Sequence, residues 1–271
     1  MKSFNGLVTV VVPTFNHDTY IFDCLDSIVA QTYQNIKIVI VDDASTDTTA
    51  DRLMSLLVPL DTTTSQSYNT YKGVHKGVDL LYVRRNANGG PAATRNDGIN
   101  VLLRHFPNTK LIGFLDSDDQ WHEEKLERSI EAFQRAPEKI GMIYSDYTNI
   151  DVSTGVMVRE YKEPFNQQRL YQECLANSDS VFNPAAFASI RKVNPTTGRV
   201  EYFPEDMRTA EDWMTWLAIS EKFILVHIPE DLLLIRTHPK NSTNSVPPEV
   251  WQANWAKIRQ KVHSMTNGQL Q

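Results

Sequence analysis

Two acidic clusters in this chain each follow a run of apolar residues. Phe114-Leu115 runs into Asp116-Ser117-Asp118-Asp119, and Ile38-Val39-Ile40-Val41 runs into Asp42-Asp43, with Ala44-Ser45-Thr46-Asp47 after it. Residues two apart in an extended segment point the same way. Asp116 and Asp118 can therefore share one site, with one carboxylate on a divalent cation and the other on a ribose hydroxyl. Mg²⁺ and Mn²⁺ take oxygen ligands of this kind beside substrate phosphates. The plainer alternative is a solvated acidic turn capping the next helix; a position directly after an apolar strand favours metal and nucleotide. For Asp42-Asp43, helix capping and ligand contact stay equally open. A third segment is Asn88-Gly89-Gly90-Pro91-Ala92-Ala93-Thr94-Arg95. Its glycines permit a tight turn and close backbone approach to a ligand. Arg95 can meet a phosphate or an acid of the site, or form a surface ion pair.

These groups can meet only if the chain presents them at the carboxyl ends of neighbouring parallel strands, where open α/β sheets bind ligands. The first half supplies the required alternation. Continuous β-branched and apolar runs predict buried strands at 7–12 (ended by Pro13), 36–41, 80–83, 110–115 and 140–147. Helical spacing predicts helices at 19–30, 47–57, 91–104 and 122–135, the third opened by Gly90-Pro91. Residues 58–77 are rich in Thr, Ser, Asn and Tyr and read as a surface excursion. The second half is less regular. It predicts a hairpin strand at 156–161, short helices at 170–176 and 183–191, a helix at 211–221, strands at 223–228 and 232–237, and a tail helix at 248–263. The fold class expected is α/β, with a Rossmann-like, mostly parallel central sheet flanked by helices. The expected division is one domain over 1–245, with a nucleotide-binding half to about 120 and an acceptor-binding half beyond it. A helical tail follows over 246–271.

The chain has 271 residues and a formal charge of −6, which speaks against a nucleic-acid binder relying on bulk positive charge. An anionic ligand would need a metal ion, arginines or helix N-termini. Two cysteines, Cys24 and Cys174, read as free thiols of a reducing compartment. No leader peptide is visible, and the apolar run at 7–13 is far below the ~20 residues needed to span a bilayer. A cytoplasmic protein is expected, with peripheral association at the inner face of the membrane as an open alternative.

In order, the chain carries Val11-Val12-Pro13-Thr14-Phe15-Asn16, Ser27-Ile28-Val29-Ala30-Gln31-Thr32-Tyr33, Val41-Asp42-Asp43-Ala44-Ser45-Thr46-Asp47, the segment 88–98 and Leu115-Asp116-Ser117-Asp118-Asp119. This ordered set resembles the family 2 glycosyltransferases of the GT-A fold, strongly over about 7–150. Looser matches follow at Ala210-Glu211-Asp212-Trp213 and Ile235-Arg236-Thr237-His238. One departure is Thr94, where the family commonly has alanine.

The resemblance implies inverting transfer of a sugar from a nucleotide diphosphate sugar, with UDP as the default nucleotide, to a hydroxyl of a glycan or glycolipid acceptor. By similarity, Asp43 contacts the base, and Pro13, Thr14 and Phe15 line its pocket, with Asn16 in the same motif. Asp116 lies by the ribose with Ser117 beside it, and Arg95 serves the donor. Asp118 ligates Mn²⁺ or Mg²⁺, with His238 approaching the metal or diphosphate and Arg236 assisting a phosphate. Asp212 is the general base, and Glu211 competes for that role. Trp213 and Trp216 could stack on a sugar face, but tryptophans at helical spacing are more often core; Trp251 and Trp255 are expected to cement the tail helix to the domain, with a docking face for a partner or a membrane as the alternative. Two rivals remain. An aspartate-nucleophile phosphatase needs its acid pair after the first strand, which here ends in Pro13-Thr14. A carbohydrate-binding protein of the same fold without turnover would not need Asp116, Asp118 and Asp212 together.

Overall fold

The computed structural model describes residues 4–64, 67–241, 244 and 246–267. Strand β1 (Leu7–Thr14) runs through the centre of the sheet. Its alternate residues Val8, Val10 and Val12 enter one apolar cluster, whereas Val11 enters the other, as the two-residue period of a strand demands. Helix α1 (Ile21–Val29) buries Ile21, Cys24, Leu25 and Ile28 on the first face. Strand β2 (Ile36–Asp42) pairs parallel with β1, and α2 (Thr49–Met54) follows it.

Strands β3 (Leu57–Thr64), β4 (Tyr68–His75) and β5 (Val78–Arg85) come next, then α3 (Pro91–His105) and β6 (Thr109–Phe114). A two-residue β7 (Gln120–Trp121), α4 (Lys125–Arg135), β8 (Ile140–Asp151) and β9 (Met157–Glu160) lead into the second half. There α5 (Gln167–Leu170), β10 (Val181–Phe182), α6 (Pro184–Ile190) and the small β11 (Lys192–Val193)/β12 (Val200–Glu201) ribbon precede α7 (Glu211–Ser220). The last elements are β13 (Ile224–Thr237) and α8 (Pro248–Asn267).

The main sheet has eleven strands in the order β3-β4-β5-β2-β1-β6-β10-β8-β13-β7, with β9 on β8. Strands β5, β2, β1 and β6 pair parallel, as do β8 and β13. Helices cover both faces. One face packs α1 and α4, while the other packs α3, α6 and α7, with Phe114, Phe182, Phe187, Phe203 and Trp216 at its centre. This is the expected α/β architecture with a mostly parallel core.

Four expectations change. Residues 58–77 are not a surface excursion: β3 and β4 extend the sheet as antiparallel strands beside β5. Cross-strand pairing, with Tyr71 stacked on Tyr82, outweighs a composition that reads as loop. Pro13 does not end β1, since the pairing continues through Pro13 and Thr14 opposite Val41 and Asp42. Segments 223–228 and 232–237 form one strand along β8, interrupted by register shifts around Pro229, which lacks the N–H a regular ladder needs. The helix expected at 170–176 lies earlier, where Asn166 caps it by accepting from the Gln168 and Arg169 amides.

Strands β1, β2 and β6 end at one edge, in Thr14, Asp42 and Phe114. The loops leaving that edge carry the acidic clusters.

Candidate active site

The loops after β1 and β2 are tied to each other before any ligand is considered. Asn16 adopts a positive φ of 59°, and its Oδ1 accepts from the Thr46 and Asp47 amides at 2.8 and 3.2 Å. Its own amide donates to Ser45 Oγ at 3.0 Å. Asp42 is fully buried and accepts from Tyr82 Oη and the Ser45 amide at 2.7 and 2.8 Å. Asp43 reaches the glycine turn: it accepts from Arg85 Nη1 at 2.7 Å, Gly89 N at 2.9 Å and Gly90 N at 2.8 Å. A carboxylate offers about four acceptor positions, so one remains for a ligand. The turn requires its glycines. A Cβ on Gly89 would fall 2.3 Å from Arg85 Nη1, and Gly90 has φ 85°. The Asp43 amide bonds Thr14 O at 2.9 Å, which sets Pro13, Thr14 and Phe15 beside this carboxylate. Thr14 Oγ1 is buried without a protein partner, and Phe15 is 41% exposed.

Arg95 organises the middle of the edge. It is buried, with Nη2 on both oxygens of Asp116 at 2.8 and 3.1 Å and Nη1 on Glu211 Oε1 at 2.7 Å. Of the partners open in the sequence, the structure gives it the acids. Burial opposes its charge, but Asp116, Glu211 and Asp212 outweigh burial and hold the guanidinium protonated. Asp116 also accepts from Ser178 Oγ at 3.0 Å, and its amide donates to Asp179 Oδ1 at 2.6 Å. Ser178 and Asp179 carried no sequence signal. They reach the site because the two-residue β10 wedges between β6 and β8, too short to show a period. Asp119 and Asp179 form a buried acid pair behind the loop. Burial, then neighbouring carboxylates, push both upward, Asp179 to about 8.

Helix α7 starts at the same place. Ala210 precedes it in the left-handed region (φ 56°), a strained conformation for a residue with a Cβ, which turns Glu211 and Asp212 towards the edge. Burial, then Asp212, pushes Glu211 up to about 7 despite Arg95. Burial also raises Asp212, with Arg95 opposing. Glu211 is buried on Arg95; Asp212 is half-buried and accepts its own helix's Trp213 amide at 2.7 Å through Oδ1. Both line a cavity of about 380 Å³ with Arg95, Asp116, Arg208 and Trp213.

The third cluster is His17, Asp118 and His238, whose ligand atoms lie within 4.8 Å of one another. Asp118 Oδ2 is 3.1 Å from His238 Nε2, 3.7 Å from His17 Nε2 and 3.0 Å from Asn241 Nδ2. Burial lowers the His17 pKa, which favours the neutral imidazole a metal needs. Burial opposes ionisation of Asp118, but the His238 hydrogen bond and the His17 charge outweigh it and hold the acid below the usual range. Ser117 is fully buried, and its Oγ pairs with His17 Nδ1 at 2.7 Å. Its hydroxyl is committed to that ring. His17, the residue after Asn16, is a ligand candidate that the sequence motifs do not reach. The only available signal was its adjacency to a motif, because Ser117 and Asp118 are a hundred residues away in the chain.

Arg236 is committed to protein partners. Its guanidinium holds the Asp118 carbonyl, Asp23 and Gln120, and its amide donates to Asp119 Oδ1. Trp216 is core, fully buried and stacked on Phe182, whereas Trp213 donates to Leu170 O and lines the cavity.

The profile of Glycosyl transferase family 2 matches residues 9–194. The chain belongs to this family. It is 23% identical over 268 residues to the putative teichuronic acid biosynthesis glycosyltransferase TuaG of Bacillus subtilis, covering 98% of this chain and 93% of that one. An uncharacterized glycosyltransferase of Rickettsia felis is 26% identical over 231 residues, 84% of this chain and 33% of its own length. The chain thus spans nearly all of the first relative and a third of the second. Among solved structures, Staphylococcus aureus TarS 1–349 in complex with UDP-GlcNAc superposes with a TM-score of 0.65 at 19% identity, over 89% of this chain and 61% of that one. The mannosyltransferase PcManGT of Pyrobaculum calidifontis, in complex with GDP-Man and Mn²⁺, gives 0.58 at 18% identity over 97% and 65%. These likenesses show the GT-A type fold. Among the described residues no helix is long and apolar enough to cross a membrane.

Proposed function

We propose that this glycosyltransferase is a metal-dependent, inverting enzyme that moves a sugar from a UDP-sugar to an acceptor hydroxyl in the assembly of a cell-surface glycan. The observation that carries this reading is the convergence, at one sheet edge, of a His17–Asp118–His238 cluster with the Asp116–Arg95–Glu211 network and the half-buried Asp212. UDP is supported by TarS, solved with UDP and with UDP-GlcNAc, and a surface glycan by the name of the Bacillus relative. The reaction would take place in the cytoplasm, at the inner face of the membrane where such acceptors grow.

The three ligand groups fit a divalent cation. One carboxylate and two imidazoles, one of them held by Ser117, form a compact donor set. Imidazole nitrogens make it less suited to Mg²⁺, which prefers oxygen, so Mn²⁺ is favoured. Lys240 N donates to His238 Nδ1 at 3.2 Å, placing that ring's proton on Nε2, where it would be displaced on metal binding. A bound cation would supply Lewis-acid stabilisation of the charge developing on the departing diphosphate.

The chain's own residues do the rest. The Thr14–Phe15 loop and the remaining acceptor position of Asp43 receive the base, and the Asp116 carboxylate, fixed by Arg95 and Ser178, receives a ribose hydroxyl. Arg208, exposed beside Gly90 and lining the cavity, would meet donor phosphate oxygens, since Arg95 is committed. Asp212 takes the proton of the acceptor hydroxyl as its oxygen attacks the anomeric carbon from the face opposite the diphosphate, so the configuration inverts in one displacement. Glu211 is bound to Arg95 and serves as its anchor.

Asp212→Asn tests this reading. It is expected to retain Mn²⁺-dependent UDP affinity and to lose transfer by about 10²–10⁴-fold. Full transfer in that variant removes the base assignment. Donor binding without turnover in the wild type would favour a binding protein of the same fold.

A further inference from the structure

The tail helix α8 is attached to the turn that precedes Asp212. Asn254 is buried and donates from Nδ2 to Thr209 O at 3.1 Å and Thr209 Oγ1 at 3.0 Å. One turn on, Ile258 is buried in the core cluster that contains Trp216 and Leu217. Lys257 adds a bond to the Asp206 carbonyl at 2.8 Å. With Asn254 and Ile258 facing inward, Trp251 and Trp255, also four residues apart, lie on the neighbouring face and share one side of the helix. Their ring centroids are 6.2 Å apart at 62°. Both tryptophans line the 380 Å³ cavity that holds Asp212, Arg95 and Asp116, as does Trp213. They are therefore not simply cement for the tail.

We propose that Trp251 and Trp255 form the acceptor subsite, a stacking platform for the ring of the sugar whose hydroxyl is presented to Asp212. A cavity of this size that combines aromatic walls with a few convergent polar groups is the usual form of a small-molecule site. An indole offers a broad apolar face that keeps one polar edge, matching the C–H face of a pyranose whose hydroxyls stay at the rim. The alternative use of exposed tryptophans, insertion into a lipid surface, fits less well. Trp255, 47% exposed, is the one large apolar side chain exposed on α8 among the described residues, and a membrane-lying helix needs a continuous apolar face. The concave wall it shares with carboxylates and Arg95 is no lipid surface. Asn254 couples the platform to the Thr209–Ala210 turn, so the same bonds that seat α8 set the distance between platform and base.

This inference rests on Asp212 as the base and on a sugar acceptor. The experiment uses the full chain with Mn²⁺, UDP-, GDP- and dTDP-hexoses as donors, and a panel of p-nitrophenyl hexosides and hexuronides as acceptor probes. Wild type, Trp255→Ala, Trp251→Ala and Trp255→Phe are compared. Expected for Trp255→Ala is a rise of about tenfold or more in the KM of the accepted glycoside, the loss of a stacking partner. Nucleotide Kd and the slow hydrolysis of donor by water should hold, and Trp255→Phe should recover most of the effect. Tryptophan fluorescence should be quenched by the glycoside in the wild type and less in either alanine variant. If the alanine variants keep the glycoside KM and the quench, the platform is overturned. If the donor binds but no glycoside is accepted or quenches fluorescence, the sugar-ring assignment is overturned while the donor site stands. A vesicle-dependent loss on mutation, with unchanged glycoside KM, would assign the rings to lipid instead. Absence of any Mn²⁺-dependent nucleotide binding would sink the underlying reading itself.

Discussion

Removal of Arg95 gives the most quantitative check on the site. Its side chain is 5% exposed and its partner Glu211 8%, so little solvent screens the pair. Arg95→Met keeps the volume roughly constant and leaves Glu211 unpaired. Breaking a buried ion pair on one side typically costs ~3–5 kcal/mol. Here the cost must depend on pH. In the wild type burial holds the Glu211 carboxyl up at about 7 although Arg95 pulls it down. Without Arg95 it rises further. A carboxyl raised in the folded state contributes stability at low pH that is lost as pH climbs through its folded pKa. Below about pH 6 Glu211 is mostly protonated in both proteins, and the variant loses the Arg95–Glu211 hydrogen bond and the Arg95–Asp116 pair, about 1–3 kcal/mol for each charged contact. Above pH 7 the wild type ionises while the variant resists, so the difference grows by up to about 1.4 kcal/mol per pH unit. Urea unfolding of the two proteins between pH 5.5 and 8.5 measures this directly. Adding Glu211→Gln to the variant removes the share carried by Glu211, so the double variant should keep only the weaker pH dependence of Asp212, which Arg95 also pulls down, and recover part of the stability. A difference that is flat with pH, or strict additivity of the two substitutions, would refute the reasoning.

His17→Ala removes one of three ligand groups and should weaken Mn²⁺-dependent UDP binding by about tenfold or more, with metal-independent UDP binding less affected; calorimetry with and without Mn²⁺ checks it. Chelation should inactivate the wild type, and Mn²⁺ should restore it better than Mg²⁺. Because burial raises Asp212 and a base must be ionised, the acid limb of the kcat–pH profile should lie above the ~3.9 of an ordinary aspartate. Arg95 pulls Asp212 down, so Arg95→Met should move that limb to higher pH, and an unmoved limb assigns it to another group. Gly98→Ala would place a Cβ 2.4 Å from Val11 Cγ1, where α3 crosses β1. Overpacking there should cost about 1–3 kcal/mol despite the better helix propensity of alanine, read as a lower urea midpoint.

Much of the fold was legible because its signals are local. Short β-branched runs such as 36–41 read as strands buried on both faces, and acids placed at their ends point to a ligand-binding edge. The ordered motifs fixed the family, and with it Asp116, Asp118 and Asp212 as candidates. Other features exist only once distant segments touch. His17 is unremarkable as the residue after Asn16; it becomes a ligand candidate because the β1 and β6 loops leave adjacent parallel strands. Ser178 and Asp179 reach Asp116 through a two-residue strand that carries no periodicity. Glu211 and Asp212 look alike as neighbouring positions with the same charge; the fold pairs Glu211 with Arg95 while both line the cavity. Residues 57–64 and 68–75 pair because a sheet edge was there to receive them, which composition cannot register. Trp251 and Trp255 announce an amphipathic helix in sequence. That both line the cavity of Asp212 follows from Asn254, whose partner Thr209 lies 45 residues away. Sequence determines which segments are strands and which residues could react, whereas long-range packing decides which of them meet.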